Sequence, residues 1–241
     1  MRHVGETGST NADLIAAVEG GAATNRTVLA TDHQTAGRGR LDRRWDAPPG
    51  TNLLVSMVVA PIPVVPVEVT HRVGLAAAAA VRRFLDVDNA PSVGLKWPND
   101  VLLDGRKLAG ILAQRVPGRD AVVVGMGLNV GWAPEGAAAL GLLVGDSTAD
   151  PVVSPARLLR AVLEEFDALP RDVSALYRDA LITIGQMVRV ELPGDASALQ
   201  GRAVAVDDSG RLVVVDADGM SHDLDVGDVV HVRSADGERS V

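Results

Sequence analysis

The pattern of the chain changes at Gly185, and that break constrains the fold more than any other feature. Beyond it, MVRVEL, GRAVAVD, RLVVVD, SHDL and DVVHVR are short alternating runs separated by Gly and Asp turns. Period-two runs of this length predict strands that bury one face, so residues 185–241 read as a small all-β barrel. Before Gly185, strands and helices mix. Ser9-Thr10-Asn11 stands ahead of DLIAAV as capping side chains stand before an apolar helical run. TVLATDH (27–33) and NLLVSMVVA (52–60) predict buried strands, and Glu68 to Leu85 predicts a helix with an alanine run. Residues 93–116 predict two strands around Asp104-Gly105, a hairpin-turn dipeptide, and 120–130 another strand with a glycine-rich exit. Helices are predicted over 154–168 and 171–182, with Pro151, Pro155 and Pro170 fitting their ends. Hairpins among strands and helices favour an α+β fold over a doubly wound parallel sheet. Two domains are expected, 1–184 and 185–241.

Charge narrows the function classes. The 241 residues carry a formal net charge of −8. Residues 185–241 hold 11 acidic and 5 basic side chains, a net of −6, which leaves residues 1–184 near neutral at −2. A nucleic-acid binder is usually basic overall or along one face, so that class is disfavoured. There is no cysteine, hence no disulfide, thiolate metal site or cysteine nucleophile. The start, MRHVGETGSTN, has no apolar signal region, and no apolar run approaches the ~20 residues of a membrane span. A cytoplasmic protein without membrane association is expected.

Against this acidic background, TAGRGRLDRRW (35–45) places four arginines in seven residues, with two glycines nearby. Glycines let backbone N–H groups approach a ligand closely, and arginine offers bidentate donors to phosphate or carboxylate. Aromatic residues are 2% of the chain, too few for a nucleic-acid stacking surface, so a small phosphorylated ligand fits better. No P-loop, HExxH or GxSxG is present, and GMGLNVG (125–131) lacks the third glycine of a dinucleotide loop. Of 23 basic residues only Lys96 and Lys107 are lysine. Lysine is a compact point charge on a thin stem, a job arginine's planar fork cannot do. Lys96 lies in KWPND with Asn99 and Asp100, and Lys107 lies in KLAG beside small residues. Trp45, Trp97 and Trp132 all fall in or beside these motifs, as core residues or as walls of a ligand site.

Taken in order, ETGSTN, QTAGRGR–RRW–P–G–NL–S, KWPND, KLAGIL and GMGLNV resemble the biotin protein ligases, in particular those lacking a DNA-binding domain. The resemblance implies a class II synthetase-like central domain with a mixed sheet, followed by an SH3-like barrel. It implies adenylation of biotin by Mg-ATP and transfer of the biotinyl group to a lysine of the biotin carboxyl carrier domain of an acyl-CoA carboxylase. ATP and biotin are then substrates, with Mg²⁺. By the same resemblance, Ser9, Thr10, Asn11 and Gln34 match the biotin-head contacts. Arg38, Gly39, Arg40 and Lys107 match the acyl-phosphate contacts. Arg43, Trp45, Lys96, Asn99, Asp100 and Asn129 match motif positions: Arg43, Asn99 and Asn129 toward the nucleotide, Trp45 toward the substrate, Asp100 as a base or a metal ligand. Leu41-Asp42 departs from the family's glycine or basic residue at the loop tip. Only five residues precede ETGSTN, so repressor activity is not expected, and a monomer or weak homodimer is. A lipoate or octanoate ligase of the same fold and a nucleic-acid module using the arginine loop are the competing readings.

Overall fold

The structure, a computed structural model, describes residues 1–41, 43–85, 91–143, 153–192, 198–225 and 227–231. Asp42, at the tip of the arginine loop, and Pro151 lie outside them.

A seven-stranded mixed sheet organises the larger part of the molecule. Its strands are β1 (Arg2–Thr7), β2 (Val28–Gln34), β3 (Leu53–Val59), β4 (Val93–Lys96), β5 (Asp100–Leu103), β6 (Arg106–Arg115) and β7 (Val122–Leu128). They lie in the order β1-β2-β3-β7-β6-β5-β4, with β1 and β2 parallel and the other pairs antiparallel. The helices are α1 (Thr10–Glu19), α2 (Glu68–Arg82), α3 (Leu140–Leu143), α4 (Pro155–Ala168) and α5 (Ser174–Ala180). A second sheet holds β8 (Met187–Glu191), β9 (Leu199–Val206), β10 (Leu212–Val215), β11 (Ser221–Leu224) and β12 (Asp228–His231), in the antiparallel order β11-β10-β9-β8-β12. Each predicted run beyond Gly185 is a strand of this sheet.

Residues 93–116 form three strands where two were predicted. Trp97-Pro98-Asn99 makes a tight turn that brings Lys96 opposite Asp100, splitting the first predicted strand into β4 and β5. Strand β1 is polar and at the sheet edge, so it lacks the apolar run by which a strand is recognised. Ser9 stands at the N-cap of α1 in extended conformation, but its side chain makes no capping hydrogen bond.

Alternation gives the first sheet two unequal faces. One face carries Ala30, Val55, Met57, Ile111, Val124 and Met126 against α2 and α4, joining the main core. The small side chains of α2, Ala76 to Ala80, let it lie close to the strands. Leu29, Val58 and Val123 of the other face pack under Leu14 and Val18 of α1. That cover reaches only part of the face, and the remainder is where the site forms.

The two sheets meet at Trp97 and His71. Trp97 is 2% exposed, and its Nε1–H donates to the Gly210 carbonyl in the β9–β10 turn at 2.9 Å. It is a core residue joining the sheets, not a ligand wall. His71 of α2 stacks on Tyr177 of α5, with ring centroids 3.5 Å apart, and its edge abuts Gly210. Neither His71 Nε2 nor Tyr177 Oη has a hydrogen-bond partner among the described residues. Burial alone lowers the His71 imidazole from 6.5 to about 4 and raises the Tyr177 phenol.

A folded-state pKa below the unfolded value means that unfolding takes up a proton. His71 therefore contributes stability that is complete above its unfolded pKa and is lost as pH falls from 6.5 through about 4. The shift corresponds to roughly 3 kcal/mol. Urea unfolding at pH 7.5 and pH 5 should show wild type losing more stability than His71→Phe, and equal losses would refute the role.

Candidate active site

The site forms where the α1 face runs out of large side chains. Gly110 of β6 pairs with Gly127 of β7, and Gly125 pairs with Ser56 of β3. These four residues make a shallow floor on one face.

Lys107 is turned onto that floor by a bulge. Val101 pairs with Ala109 but Leu102 pairs with Lys107, so Leu108 is an extra residue in β6. Strict alternation would place Lys107 on the opposite face from Gly110; the extra residue places them on the same one. The displaced backbone is satisfied from the exit of β7: Asn129 N–H donates to the Leu108 carbonyl and Ala138 N–H to the Lys107 carbonyl, both at 2.9 Å. A Cβ on Gly110 would stand 3.3 Å from Lys107 Cε, so the lysine stem lies across that glycine. Asp100 Oδ1 is 2.8 Å from Lys107 Nζ. The charges pair, but off the hydrogen-bonding direction, so this buried oxygen has no aligned donor among the described residues.

The arginine segment is a small hairpin over the floor. Trp45 N–H donates to the Gly37 carbonyl at 3.0 Å and Gly39 N–H to the Arg43 carbonyl at 2.7 Å, while Arg38 and Arg44 form a bridge. Leu41 takes a positive φ of 53°, the conformation for which a glycine at this position is suited. Trp45 lies against the floor: a Cβ on Gly127 would overlap its indole, and one on Gly110 would stand 3.0 Å from it. Its Nε1–H is buried without an acceptor among the described residues, and Lys107 Nζ is 5.8 Å from the ring centre. Arg40 Nη1 donates to Asn99 Oδ1 at 3.3 Å and to the Gly227 carbonyl at 3.4 Å. Arg44 faces outward, bonded to the Thr35 carbonyl and paired with Asp46.

The far end is neutral and polar. Thr10 N–H donates to Gln34 Oε1 at 2.8 Å, and Thr10 Oγ1 lies 2.6 Å from Ser56 Oγ. Asn11 is turned away from the open space: its Nδ2 donates to the Leu112 carbonyl and to Gln114 Oε1, and its Oδ1 accepts from Ser56. Asn129 is likewise engaged, accepting from Asn52 and donating to the Ala138 carbonyl.

A cavity of about 390 Å³ unites these parts. Ser9, Thr10, Asn11 and Gln34 line one end, and Arg38, Gly39, Arg40, Arg43, Asn99, Asp100 and Lys107 the other. Trp45, Trp132 and Asn129 complete the wall. Lys96 does not line it. Ser56, Gln114, Asn52 and Gly227 were not singled out by sequence reasoning. The NL–S motif, which contains Asn52 and Ser56, was the one signal available for them.

Residues 9–130 match the model of the Biotin/lipoate A/B protein ligase family, and residues 183–232 that of the Biotin protein ligase C terminal domain. The chain is 42% identical over 241 residues to the biotin–[acetyl-CoA-carboxylase] ligase of Mycobacterium tuberculosis, covering 95% of this chain and 88% of that one. This chain belongs to the biotin protein ligases. Biotin protein ligase from Aquifex aeolicus, solved with biotin and ATP, shares the fold with a TM-score of 0.76 at 23% identity, over 97% and 98% of the two chains. The ligase from Leishmania major, solved with biotinyl-5-AMP, aligns at 25% identity with a TM-score of 0.65, over 93% and 98%. As a biotin protein ligase the chain is an enzyme. No helix among its described residues is long and apolar enough to cross a membrane.

In this ligase the seat of Trp45 depends on Gly127. Gly127→Ala should lift the indole, exposing it to solvent and raising acrylamide quenching of tryptophan emission. Gly5→Ala, with nothing within 4 Å of its added Cβ, is the control. Equal quenching in the two variants would refute the packing argument.

Proposed function

We propose that this chain adenylates biotin with Mg-ATP and then passes the biotinyl group to one lysine of the biotin carboxyl carrier domain of an acyl-CoA carboxylase. One observation carries the reading: the cavity ends differ chemically, neutral and polar at Thr10 and Gln34, cationic at Lys107 and Arg40, with glycines and Trp45 between. Biotin has the same order: a cyclic urea, an apolar ring and chain, and a carboxylate.

In the first step a carboxylate oxygen bonds to the α-phosphorus while the bond to pyrophosphate breaks. Two anionic groups must be held together, which takes fixed positive charge. Lys107 supplies it from the floor, Arg38 and Arg40 from the hairpin. Gly39 allows the backbone close to the phosphate, and Arg43, Asn99 and Asn129 border the nucleotide end. Mixed anhydrides hydrolyse readily, and the hairpin over the floor keeps water away. In the second step the carrier lysine attacks the acyl carbon, AMP leaves, and the amine gives up a proton. Unperturbed, that amine has a pKa of ~10.4, so it arrives protonated.

Asp100 fits an ion carried in on ATP. Its Oδ1 is buried without an aligned donor, and no cluster of three or more acidic or histidine side chains surrounds it among the described residues. A single carboxylate completed by substrate phosphates is a usual Mg²⁺ environment. Asp100 would hold the ion, whose charge offsets that of the triphosphate, or take the proton of the incoming amine.

Pyrophosphate release should require ATP with biotin, and turnover with lipoate alone would overturn the reading. Lys107→Ala should lower adenylate formation at least about a hundredfold in a folded protein. Lys107→Arg should not restore the wild-type rate, because a planar fork does not fit across Gly110. Arg40→Gly should release biotinyl-AMP faster than wild type in a filter-retention assay, and an unchanged off-rate would remove Arg40 from the phosphate site.

A further inference from the structure

Asn99 lines the cavity, yet both ends of its side chain are engaged by the protein. The Ile111 carbonyl can only accept, so Asn99 faces it with Nδ2, at 2.7 Å. The backbone makes the reverse contact: Ile111 N–H donates to the Asn99 carbonyl at 2.9 Å. Asn99 is thus clamped to β6 one residue beyond Gly110. With Nδ2 fixed, Oδ1 is the atom turned toward the arginine hairpin, and it accepts from Arg40 Nη1 at 3.3 Å. The Gly227 carbonyl accepts from the same nitrogen at 3.4 Å. A guanidinium Nη carries two protons, so the two acceptors match both.

Arg40 lies in a hairpin over the floor, and a long side chain there has many rotamers to lose. A cation stabilises developing charge best when it is already in place. Asn99 supplies that placement with a neutral oxygen. A carboxylate in the same position would orient Arg40 but offset the charge that a phosphate needs. The anchor also matters. Lys107 and Ile111 belong to one strand, β6, so Asn99 refers the cation above the floor to the element that carries the cation below it. We infer that Asn99 is a positioning residue for Arg40: it serves the acyl-phosphate through the guanidinium and not by contact with the nucleotide. The inference rests on the function proposed above and assigns a role within that reaction.

The test is a double-mutant cycle on the release of preloaded biotinyl-AMP, read by filter retention. The four proteins are wild type, Asn99→Ala, Arg40→Gly and the double variant, each checked for folding by thermal unfolding. Asn99→Ala alone should speed release about tenfold, because a hydrogen bond to a charged group is lost. In the Arg40→Gly background the same change should alter release less than about twofold, because the group that Asn99 positions is already gone. An effect of equal size in both backgrounds would overturn the inference, whether it came from direct nucleotide contact or from general damage to the β4–β5 turn. Unchanged release in Asn99→Ala would overturn it as well. Asn99→Ser, which keeps a small polar group in the turn, runs the same cycle if the alanine variant does not fold. Wild-type protein that forms no biotinyl-AMP from biotin and ATP would refute the function itself. Additive effects in protein that does form it refute the inference alone.

Discussion

A bulge in β6 decides on which face of the sheet Lys107 lies. If β6 ran through Leu108 in regular alternation, Lys107 would project to the face covered by α2. With Leu108 bulged out of the ladder, Lys107 falls on the face of Gly110, within 2.8 Å of Asp100 and above a floor of glycines. A bulge leaves peptide groups without ladder partners, and buried ones must be satisfied. Here Asn129 and Ala138 supply the donors, and Asn129 is itself held by Asn52. The KLAG and GMGLN segments are thus one unit. The exit of β7 stabilises the displacement that aims the lysine, and the glycines of β7 make room for Trp45 and Asn11. Asn129 serves the site from behind, through the backbone it holds.

Net charge and local charge point in opposite directions. The chain carries −8 overall, yet Lys107 and the arginines of the hairpin converge on one cavity. A cationic cleft in an acidic surface focuses the field for small anions. Joining a carboxylate to a triphosphate requires this kind of field, because the reactants repel each other until they are held. The division between lysine below and arginine above follows from shape. A thin stem can cross Gly110 at van der Waals distance, whereas forked guanidinium groups suit the phosphate oxygens from an open loop.

Much of this was legible in the residues. Alternation and turn chemistry placed the five C-terminal strands, and most of the residues that the motifs singled out line one cavity. What escaped depends on long-range register. No local pattern in DGRKLAGIL signals that Leu108 is extra, since the bulge exists only relative to β5. Strand β1 is visible only through its pairing with β2. Asn11 shows the limit most clearly: STN reads as a cap with three polar groups facing a ligand. Leu112 and Gln114, about a hundred residues away, draw the asparagine back into the protein. Ser9, the N-cap by position, leaves its hydroxyl uncommitted to the helix. Capping propensity and ligand binding select the same residue types, and sequence alone does not separate them.

The second sheet belongs to the site more closely than the break at Gly185 implies. Arg40 joins three segments that are distant in the chain: its own hairpin, Asn99 in the β4–β5 turn, and the Gly227 carbonyl ahead of β12. Trp97, two residues from Asn99, donates to Gly210 in the same sheet. The β4–β5 turn is therefore gripped from two sides. Asn99 Nδ2 then fastens it to the Ile111 carbonyl at 2.7 Å, next to Gly110 on the floor. A displacement of the second sheet would pull on Arg40 and on the turn carrying Asp100 together, and Asp100 is the partner of Lys107. The cationic end of the cavity thus takes contacts from both sheets: the Lys107–Asp100 pair lies within the first, and the Gly227 carbonyl ahead of β12 in the second accepts from Arg40.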